Sequence, residues 1–377
     1  MFVYQFCLNS LTHAHLSRYR LHDELEEEIL ALDEIRASTV GGNLVIAKAR
    51  LFMTMIDQKV LNNIMDIPMH SCGLCGAGPS DFMQICNYDT QLFQPYADAL
   101  NFGISPLHAW INFMNHLLKL SCHQPIRSNR ACGEVNKQIC RDKKEEIHRK
   151  LFERIGIKVG VPNPNGPGNS NTGNCARRAF ENPAIFAEIL ELDEQIVTDF
   201  KTILICISSR HRINPEPFKN FCRDLHVRYY EKYYWYNISP TIHKVWAHGH
   251  ELARHFPVAF NMLSEEGAES KHSDHKRMKR DHTRKDYWNH TMHDFFYRSM
   301  DMSDSMLTKI AIERAAKYQR FHFIPEEARA LLIIEDGDGN LQPDADYEDE
   351  DRLHGEAFES ALDSYDEVNG DLVADCD

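Results

Sequence analysis

Two histidines, His243 and His248, flank an apolar segment within the stretch TIHKVWAHGH, residues 241–250. Five helical residues span about 500° of rotation, so both rings can reach roughly one side of a helix. A Cys-x-x-Cys pair, Cys72 and Cys75, lies far upstream in HSCGLCGAGP. Two thiolates and two imidazoles form a closed tetrahedral set for structural zinc, at about 2.0–2.3 Å per bond. The alternative is a buried or redox-active thiol pair and an unrelated histidine pair.

One carboxylate stands at a position suited to metal chemistry. Asp57 ends the alternating stretch NLVIAKARLFMTMID, and this alternation predicts a strand over 43–57. Carboxylates at strand ends commonly hold the divalent ions of phosphoryl-transfer enzymes. The alternative is a turn or helix-cap aspartate with no chemical role.

The elements that must position these residues are mostly helical. Apolar periodicity predicts helices over 21–36, 105–122, 133–154, 182–207, 214–232, 242–255 and 303–319. Ser105 is the expected N-cap of the second, with Pro106 at its first position. The segment 161–174 is rich in Pro, Gly and Asn, which predicts a loop. No internal repeat is found.

Charge divides the chain unevenly. The net charge is −14, but residues 335–377 hold 17 acidic residues against the single Arg352, so residues 1–334 carry +2. Low apolar content predicts that this acidic tail is disordered. A slightly basic body is compatible with a polyanionic partner.

Cysteine content and hydropathy indicate the environment in which the chain resides. Eleven cysteines without regular spacing favour reduced thiols in an intracellular protein. The sequence contains no run of eighteen apolar residues, so no membrane span is predicted. The opening MFVYQFCLNSL is a poor secretory signal.

Several ordered motifs together resemble one known family. Asp57-Gln-Lys-Val and Cys72-Gly-Leu-Cys75-Gly are followed by SPLHAWINFMNHLLKLS (105–121), NGPGNSNTGNCARRAF (165–180), TIHKVWAH (241–248) and LSEEGAESKHSD (263–274), and the likeness ends near DMSDS (301–305). In this order they resemble the Transib transposases, a DDE transposon family related to the catalytic subunit of the V(D)J recombinase. The likeness covers roughly residues 25–310.

The resemblance implies a fold and residue roles. The fold would be α+β and mostly helical, with a partial RNase H-like core and a large helical zinc-binding insertion. Asp57 and Glu269 match the second and third acids of the DDE triad, with Glu265 and Glu266 as neighbouring rivals. The zinc ligands would be Cys72, Cys75, His243 and His248, and His250 would be a bystander.

The implied activity is DNA strand cleavage and transfer by two Mg²⁺ or Mn²⁺ ions. The family's first acid lies on a strand well upstream of the second, and the segment before Asp57 offers only Asp23 and Asp33 within a helical pattern. We therefore expect the first acid to be missing, and Gln58 replaces the usual glycine. Nicking by this chain alone should be weak or absent. The alternative is a non-catalytic zinc-stapled DNA-binding or protein-interaction module.

Two groups of residues are candidates for DNA contact: Asn174, Arg177 and Arg178 at a loop–helix junction, and Lys276, Arg277, Lys279 and Arg280, with Arg284 and Lys285, after Glu269. Amides and guanidiniums suit phosphates and base edges, although such charge runs are often only solvated faces. The expected partners are DNA and, as the resemblance allows, a second copy of the chain, with no membrane, in the nucleus.

The expected organisation has four parts. Residues 1–60 would hold the remnant of the RNase H-like sheet and the acidic helix, and 61–255 the zinc-stapled helical insertion. Residues 256–334 would form the region of the catalytic acid and the basic helix, and 335–377 the acidic tail.

Overall fold

The hydrophobic core of this protein is built by helices that follow the predicted apolar pattern. A computed structural model describes residues 27, 29–32, 34–38, 44–47, 58–84, 90–161, 171–264, 277–302, 306, 309 and 324–334. The helices are α1 (Gln58–Ile64), α2 (Pro106–His123), α3 (Gly133–Ile155), α4 (Gly173–Glu181), α5 (Pro183–Leu190), α6 (Glu194–Ser208), α7 (Pro215–Tyr233), α8 (Pro240–His255), α9 (Trp288–Met302) and α10 (Glu326–Arg329). The strands are β1 (Ile35–Ser38), β2 (Leu44–Ala47), β3 (Arg212–Ile213) and β4 (Leu332–Ile333).

These elements confirm a mostly helical α+β protein. The strands form two antiparallel pairs, β1 with β2 and β3 with β4. In the first pair Ile35 lies opposite Ala47, and Ser38 lies opposite Leu44. Short 3₁₀ helices occur at Gln91–Phe93, Asp98–Asn101, Gln124–Ile126 and Phe260–Leu263. Within the part of the chain that the structure describes, no helix is long and apolar enough to cross a membrane.

Helix α2 begins as the sequence predicts. The Ser105 side chain accepts a hydrogen bond from the backbone N–H of His108, and Pro106 is the first helical residue. Proline suits that position because its missing N–H would have no helical partner there. The predicted helices at 133–154, 214–232 and 242–255 correspond to α3, α7 and α8.

The single helix predicted over 182–207 is wrong, because two helices occupy it. Glu191 ends α5 in the left-handed conformation with φ 56°, and Asp193 caps α6 by accepting from the backbone N–H of Ile196. A left-handed residue turns the chain out of the first helix, and an aspartate cap starts the next.

The helix predicted over 21–36 is wrong at its C-terminal end, since Ile35 and Arg36 belong to β1. Pairing with β2 supplies backbone hydrogen bonds there, and this tertiary interaction outweighs the local preference for a helix. Of the strand predicted over 43–57, residues 44–47 are observed, and residues 43 and 48–57 lie outside the described residues. The helix predicted over 303–319 and the acidic tail also lie outside, apart from residues 306 and 309.

Helix α8 is central to the core. Every residue from Ile242 to His250 is buried, so the helix is enclosed by protein on all sides. Trp246 contacts the rings of Phe200 on α6 and Tyr229 on α7 at centroid distances of 5.5 and 5.8 Å. Burial of this kind fixes the rotation of α8, and with it the direction of each histidine. The division into 1–60, 61–255, 256–334 and 335–377 stays a prediction.

Candidate metal centre

The cysteine pair lies on a tight turn that two backbone hydrogen bonds close. The N–H of Gly76 donates to the carbonyl of Cys72 at 2.8 Å, and the N–H of Cys72 donates to that of Ala77 at 2.9 Å. Gly76 has φ +76°, a conformation that a residue with a β-carbon adopts only with strain. The glycine after the second cysteine therefore allows both thiols to turn toward one point.

A buried asparagine on α1 supports this turn. Asn62 is fully buried, and its Nδ2 donates to the carbonyls of Pro68 at 2.8 Å and Ser71 at 3.0 Å. Its Oδ1 accepts from Gln58 Nε2 at 2.6 Å. A β-carbon on Gly73 would lie 2.6 Å from the same Oδ1, so the turn packs directly onto α1.

The histidine pair is positioned by the N-terminal half of α8. The Ser239 side chain caps the helix by accepting from the N–H of Ile242, and Pro240 is its first residue. Lys244 is buried and donates from Nζ to the carbonyl of Gly103 at 2.7 Å. This bond ties α8 to the segment that precedes α2.

The structure brings together the four residues that the sequence analysis selects. Each of Cys72, Cys75, His243 and His248 offers one ligand atom, all four residues are buried, and these atoms lie within 4.8 Å of one another. Cys75 Sγ lies 3.6 Å from His243 Nε2. Tetrahedral bonds of about 2.0–2.3 Å would separate such donors by roughly 3–4 Å, so small adjustments would suffice for one ion. The cluster can hold a metal.

Neighbouring rings fix the orientation of His243. Phe82 stacks on its imidazole at 4.4 Å between centroids, and Phe93 meets it edge-on at 4.5 Å. The His248 ring lies at 5.3 Å, nearly perpendicular. These aromatic contacts leave the His243 ring little freedom, as a metal ligand requires.

His248 has one nitrogen with a partner and one without. Its Nδ1 lies 3.2 Å from Glu251 Oε2. Its Nε2 is buried and has no hydrogen-bond partner among the residues that the structure describes. A buried polar atom without a partner is costly, and a metal at the cluster would satisfy it. A carboxylate that holds the other nitrogen is the usual support of a zinc-ligating histidine.

The electrostatics of the cluster favour one thiolate opposite one imidazolium. Burial raises the pKa of Cys72, but the neighbouring Cys75, His243 and His248 side chains bring that pKa well below its usual range. The hydrogen bond to Cys72 and burial raise the pKa of Cys75. Burial lowers the pKa of His243, and it also opposes the charge on His248. The neighbouring Cys72 and Glu251 side chains nevertheless raise the pKa of His248 to about 9.

His250 is not a member of the cluster. It is buried, and burial lowers its pKa to about 4. The cluster contains only the four residues named above among those described. This agrees with the expected bystander role of His250.

The candidate catalytic acids lie outside the described residues. Asp57 immediately precedes α1, and Glu265, Glu266 and Glu269 follow Ser264 in a segment that is not described. Lys276 of the second basic group lies in the same segment. Their roles therefore stay predictions.

The first group of DNA candidates lies on α4. Asn174 is exposed in the first turn. The Arg177 guanidinium lies 5.7 Å from the Trp110 ring centroid, and Arg178 donates to the carbonyl of Ile155 at 3.1 Å. Arg178 thus caps the end of α3, and this structural task reduces its availability for DNA.

The second group is more exposed. Arg277, Lys279 and Arg280 are all exposed. Lys279 lies 4.9 Å from the Trp288 ring centroid, and Arg280 pairs with Asp281 at 2.7 Å. Arg284 pairs with Asp294, also at 2.7 Å.

The sequence analysis missed Glu251 and Asn62, although both support the cluster. A signal for Glu251 exists, because a carboxylate three residues after a histidine shares its helical face. Asn62 has no comparable signal, since its partners are backbone carbonyls.

Comparison with models of known protein families and with curated protein sequences finds no match for this chain. The likeness to Transib transposases therefore rests on the motifs themselves and enters below as a proposal.

Proposed function

We propose that this chain is a DNA-acting protein of the Transib transposase type, with a helical body stapled by one structural zinc ion. The observation that carries the proposal is the buried convergence of Cys72, Cys75, His243 and His248. The two pairs are far apart in sequence, and the family resemblance assigns these same residues to one ion.

The donor set supports zinc as the metal. Two thiolates and two imidazoles match the preference of zinc, whereas Mg²⁺ and Ca²⁺ prefer oxygen donors. Four protein ligands leave no position for water or substrate, so the bound ion would supply folding energy rather than catalysis.

The bound zinc ion would join the two chain regions that hold the candidate acids. Asp57 precedes α1, and α1 holds the cysteine turn through Asn62. Glu269 follows the 3₁₀ helix Phe260–Leu263, which comes directly after α8. The antiparallel pair β1–β2 upstream of Asp57 is compatible with a partial RNase H-like sheet.

DNA binding is the part of the proposal that a direct experiment tests best. Fluorescence anisotropy would measure binding to a labelled duplex over a range of salt concentrations. Arg277, Lys279 and Arg280 would be reversed to glutamate together. If all three contact phosphates, the slope of log affinity against log salt should fall by roughly 2–3 in magnitude.

A matched control is available on α3. Lys137, Arg141 and Arg149 have exposed side chains, and their reversal gives the same change in net charge. Equal weakening by both triple variants would mean that only net charge matters, which would contradict a specific DNA surface.

Catalysis distinguishes the transposase from the non-catalytic module. Asp57 and Glu269 alone would hold a divalent ion loosely, and a second ion would lack ligands. We expect little or no nicking of supercoiled plasmid with Mg²⁺ or Mn²⁺. Robust nicking that Glu269→Gln abolishes would show that a third acid completes the site. The proposed location is the nucleus, because the substrate is DNA.

A further inference from the structure

The contact between α7 and α8 carries a second group of nitrogen donors, apart from the metal cluster. Lys219, Arg223 and His226 lie at intervals of four and three residues on α7, so they share one side of that helix. Trp246 and His250 lie four residues apart on α8 and likewise share a side. The rings of His226 and Trp246 lie 5.4 Å apart between centroids, so the two sides face each other. We call these five residues the donor seam.

Two polar atoms of the donor seam are buried and have no hydrogen-bond partner among the residues that the structure describes. They are Nε1 of Trp246 and Nδ1 of His250, whose residues are 1% and 6% exposed. An indole N–H can only donate, and a neutral imidazole can carry its proton on Nδ1. A buried donor without an acceptor is costly, so the donor seam has room in its hydrogen bonding for an acceptor from outside.

Positive charge acts at the same place. Burial lowers the pKa of His250, and the charges of Lys219 and Arg223 lower it further, so both cations act on the His250 ring. Glu251 acts in the opposite direction, but its carboxylate already lies 3.2 Å from His248 Nδ1. Two cations against one engaged carboxylate favour an anion as the missing acceptor.

We propose that the donor seam binds a phosphate-class oxyanion, at a site that neither contains the metal ligands nor depends on the proposed DNA binding. The oxygens of a phosphate accept several charge-assisted hydrogen bonds at once, which a single water molecule cannot do. Trp246 and His250 donate from the buried side. Lys219 and Arg223 are half-buried, so solvent reaches them and they supply the charge. Free phosphate and the backbone phosphate of a nucleic acid share this chemistry.

Nuclear magnetic resonance of the indole N–H groups tests the site directly. The chain has four tryptophans, so labelling them with nitrogen-15 gives four indole signals, and Trp246→Phe removes the one to follow. Millimolar inorganic phosphate should move the Trp246 signal downfield until the site is saturated. The Trp110 signal should stay in place, because its Nε1 already donates to Ser208 at 2.7 Å. Sodium chloride at equal ionic strength is the control for salt.

A pair of arginine variants tests the charge without any signal assignment. Arg223→Gln keeps a polar side chain but removes the cation, so the phosphate affinity should fall by about tenfold or more. Arg149→Gln is the matched control on α3, where the side chain is 62% exposed and pairs with Glu153. Its phosphate affinity should equal that of the wild-type chain. Isothermal titration calorimetry with inorganic phosphate measures all three proteins, and equal affinity in the two variants would overturn the role of the donor seam.

A Trp246 signal that phosphate leaves unchanged, or that chloride moves equally, would overturn the oxyanion site and leave a buried water as the acceptor. A short DNA duplex distinguishes the two sources of phosphate. If the duplex displaces inorganic phosphate, the ligand is a backbone phosphate, and if it does not, the ligand is a free anion; both results support the site. Charge reversal at Arg277, Lys279 and Arg280 should leave inorganic phosphate binding unchanged, so the site and the DNA proposal can fail separately.

Discussion

At the scale of single residues, the site depends on how each ligand is oriented. His243 is fixed by the rings of Phe82 and Phe93, whereas His248 is fixed by the Glu251 carboxylate on its Nδ1. Both arrangements direct a ring nitrogen to the thiols of Cys72 and Cys75. The presence of a histidine alone would not direct its nitrogen to the thiols, because an unconstrained imidazole adopts several rotamers.

Removal of one ligand should release the metal. His248→Ala leaves three donors and an open position, so zinc per chain should fall from about one to a small fraction after dialysis. Cys222→Ser is the control, because it changes a buried cysteine outside the cluster. Mass spectrometry of metal content distinguishes the two variants even if both are less stable. Zinc retained at full occupancy in His248→Ala would rule out His248 as a ligand.

Glu251 should tune the affinity without acting as a ligand. Loss of such a supporting carboxylate typically weakens metal binding about 10–100-fold, so Glu251→Ala should bind zinc more weakly by that factor. Glu251→Gln keeps an acceptor oxygen and should lose less. Competition with a chromophoric chelator measures both values, and Glu216→Gln on the exposed face of α7 is the control. Equal affinity in Glu251→Ala and the wild-type chain would contradict the supporting role.

The four cluster residues could be predicted from sequence because their types restrict the chemistry to few options. Cys72 and Cys75 form a recognisable turn, and the family resemblance selects His243 and His248 from 21 histidines. Asn62 could not be predicted, because its role depends on where the carbonyls of Pro68 and Ser71 point. The backbone path of a turn is a tertiary result that periodicity does not encode.

At the scale of elements, the close packing of α7 and α8 sets the position of the histidine helix. A β-carbon on Gly249 would lie 2.7 Å from Cε1 of Phe218, whose side chain is fully buried. The smallest residue therefore lies where a larger side chain would overlap the Phe218 ring.

Gly249→Ala should destabilise the protein despite a better helix propensity. The gain in propensity is about 1 kcal/mol, whereas overpacking in a dense core costs about 1–3 kcal/mol. The free energy of unfolding should fall by up to about 2 kcal/mol in urea titrations. In a Phe218→Leu background the clash is smaller, so the same substitution should be neutral or stabilising. Additive effects in this double-mutant cycle would contradict the steric explanation.

Element boundaries were harder to predict than element types. The pattern of α5 and α6 is continuous, and only Glu191 with φ 56° and the Asp193 cap divide it. Glutamate rarely adopts a left-handed conformation, so its sequence gives no stop signal. Lys143 and Lys150 on α3 form ion pairs with Glu191, which gives the residue a tertiary reason to lie there. Similarly, β1 overrides a helical pattern through its pairing with β2.

At the scale of the whole molecule, the Cys/His cluster joins a loop-rich segment to a helical core. The cysteine turn and the segment up to Gly103 contain short helices and turns, whereas α2 and α5–α8 bury large side chains against one another. A zinc finger unfolds without its metal because it has almost no other core. This protein has a large core, so metal loss should act locally.

Chelation should therefore loosen one region and leave the helical core folded. After treatment with a strong chelator, far-UV circular dichroism should change little, while the melting temperature falls by several degrees. Hydrogen exchange should accelerate in 58–84 and 90–104, where the cluster and the Asn62 bonds hold the chain, and α2 and α6 should stay protected. Zinc should restore protection and Mg²⁺ should not, because the donors are sulfur and nitrogen. Uniform acceleration over all helices would mean that the ion is required for the whole fold, and unchanged exchange near Cys72 would mean that no ion is bound there.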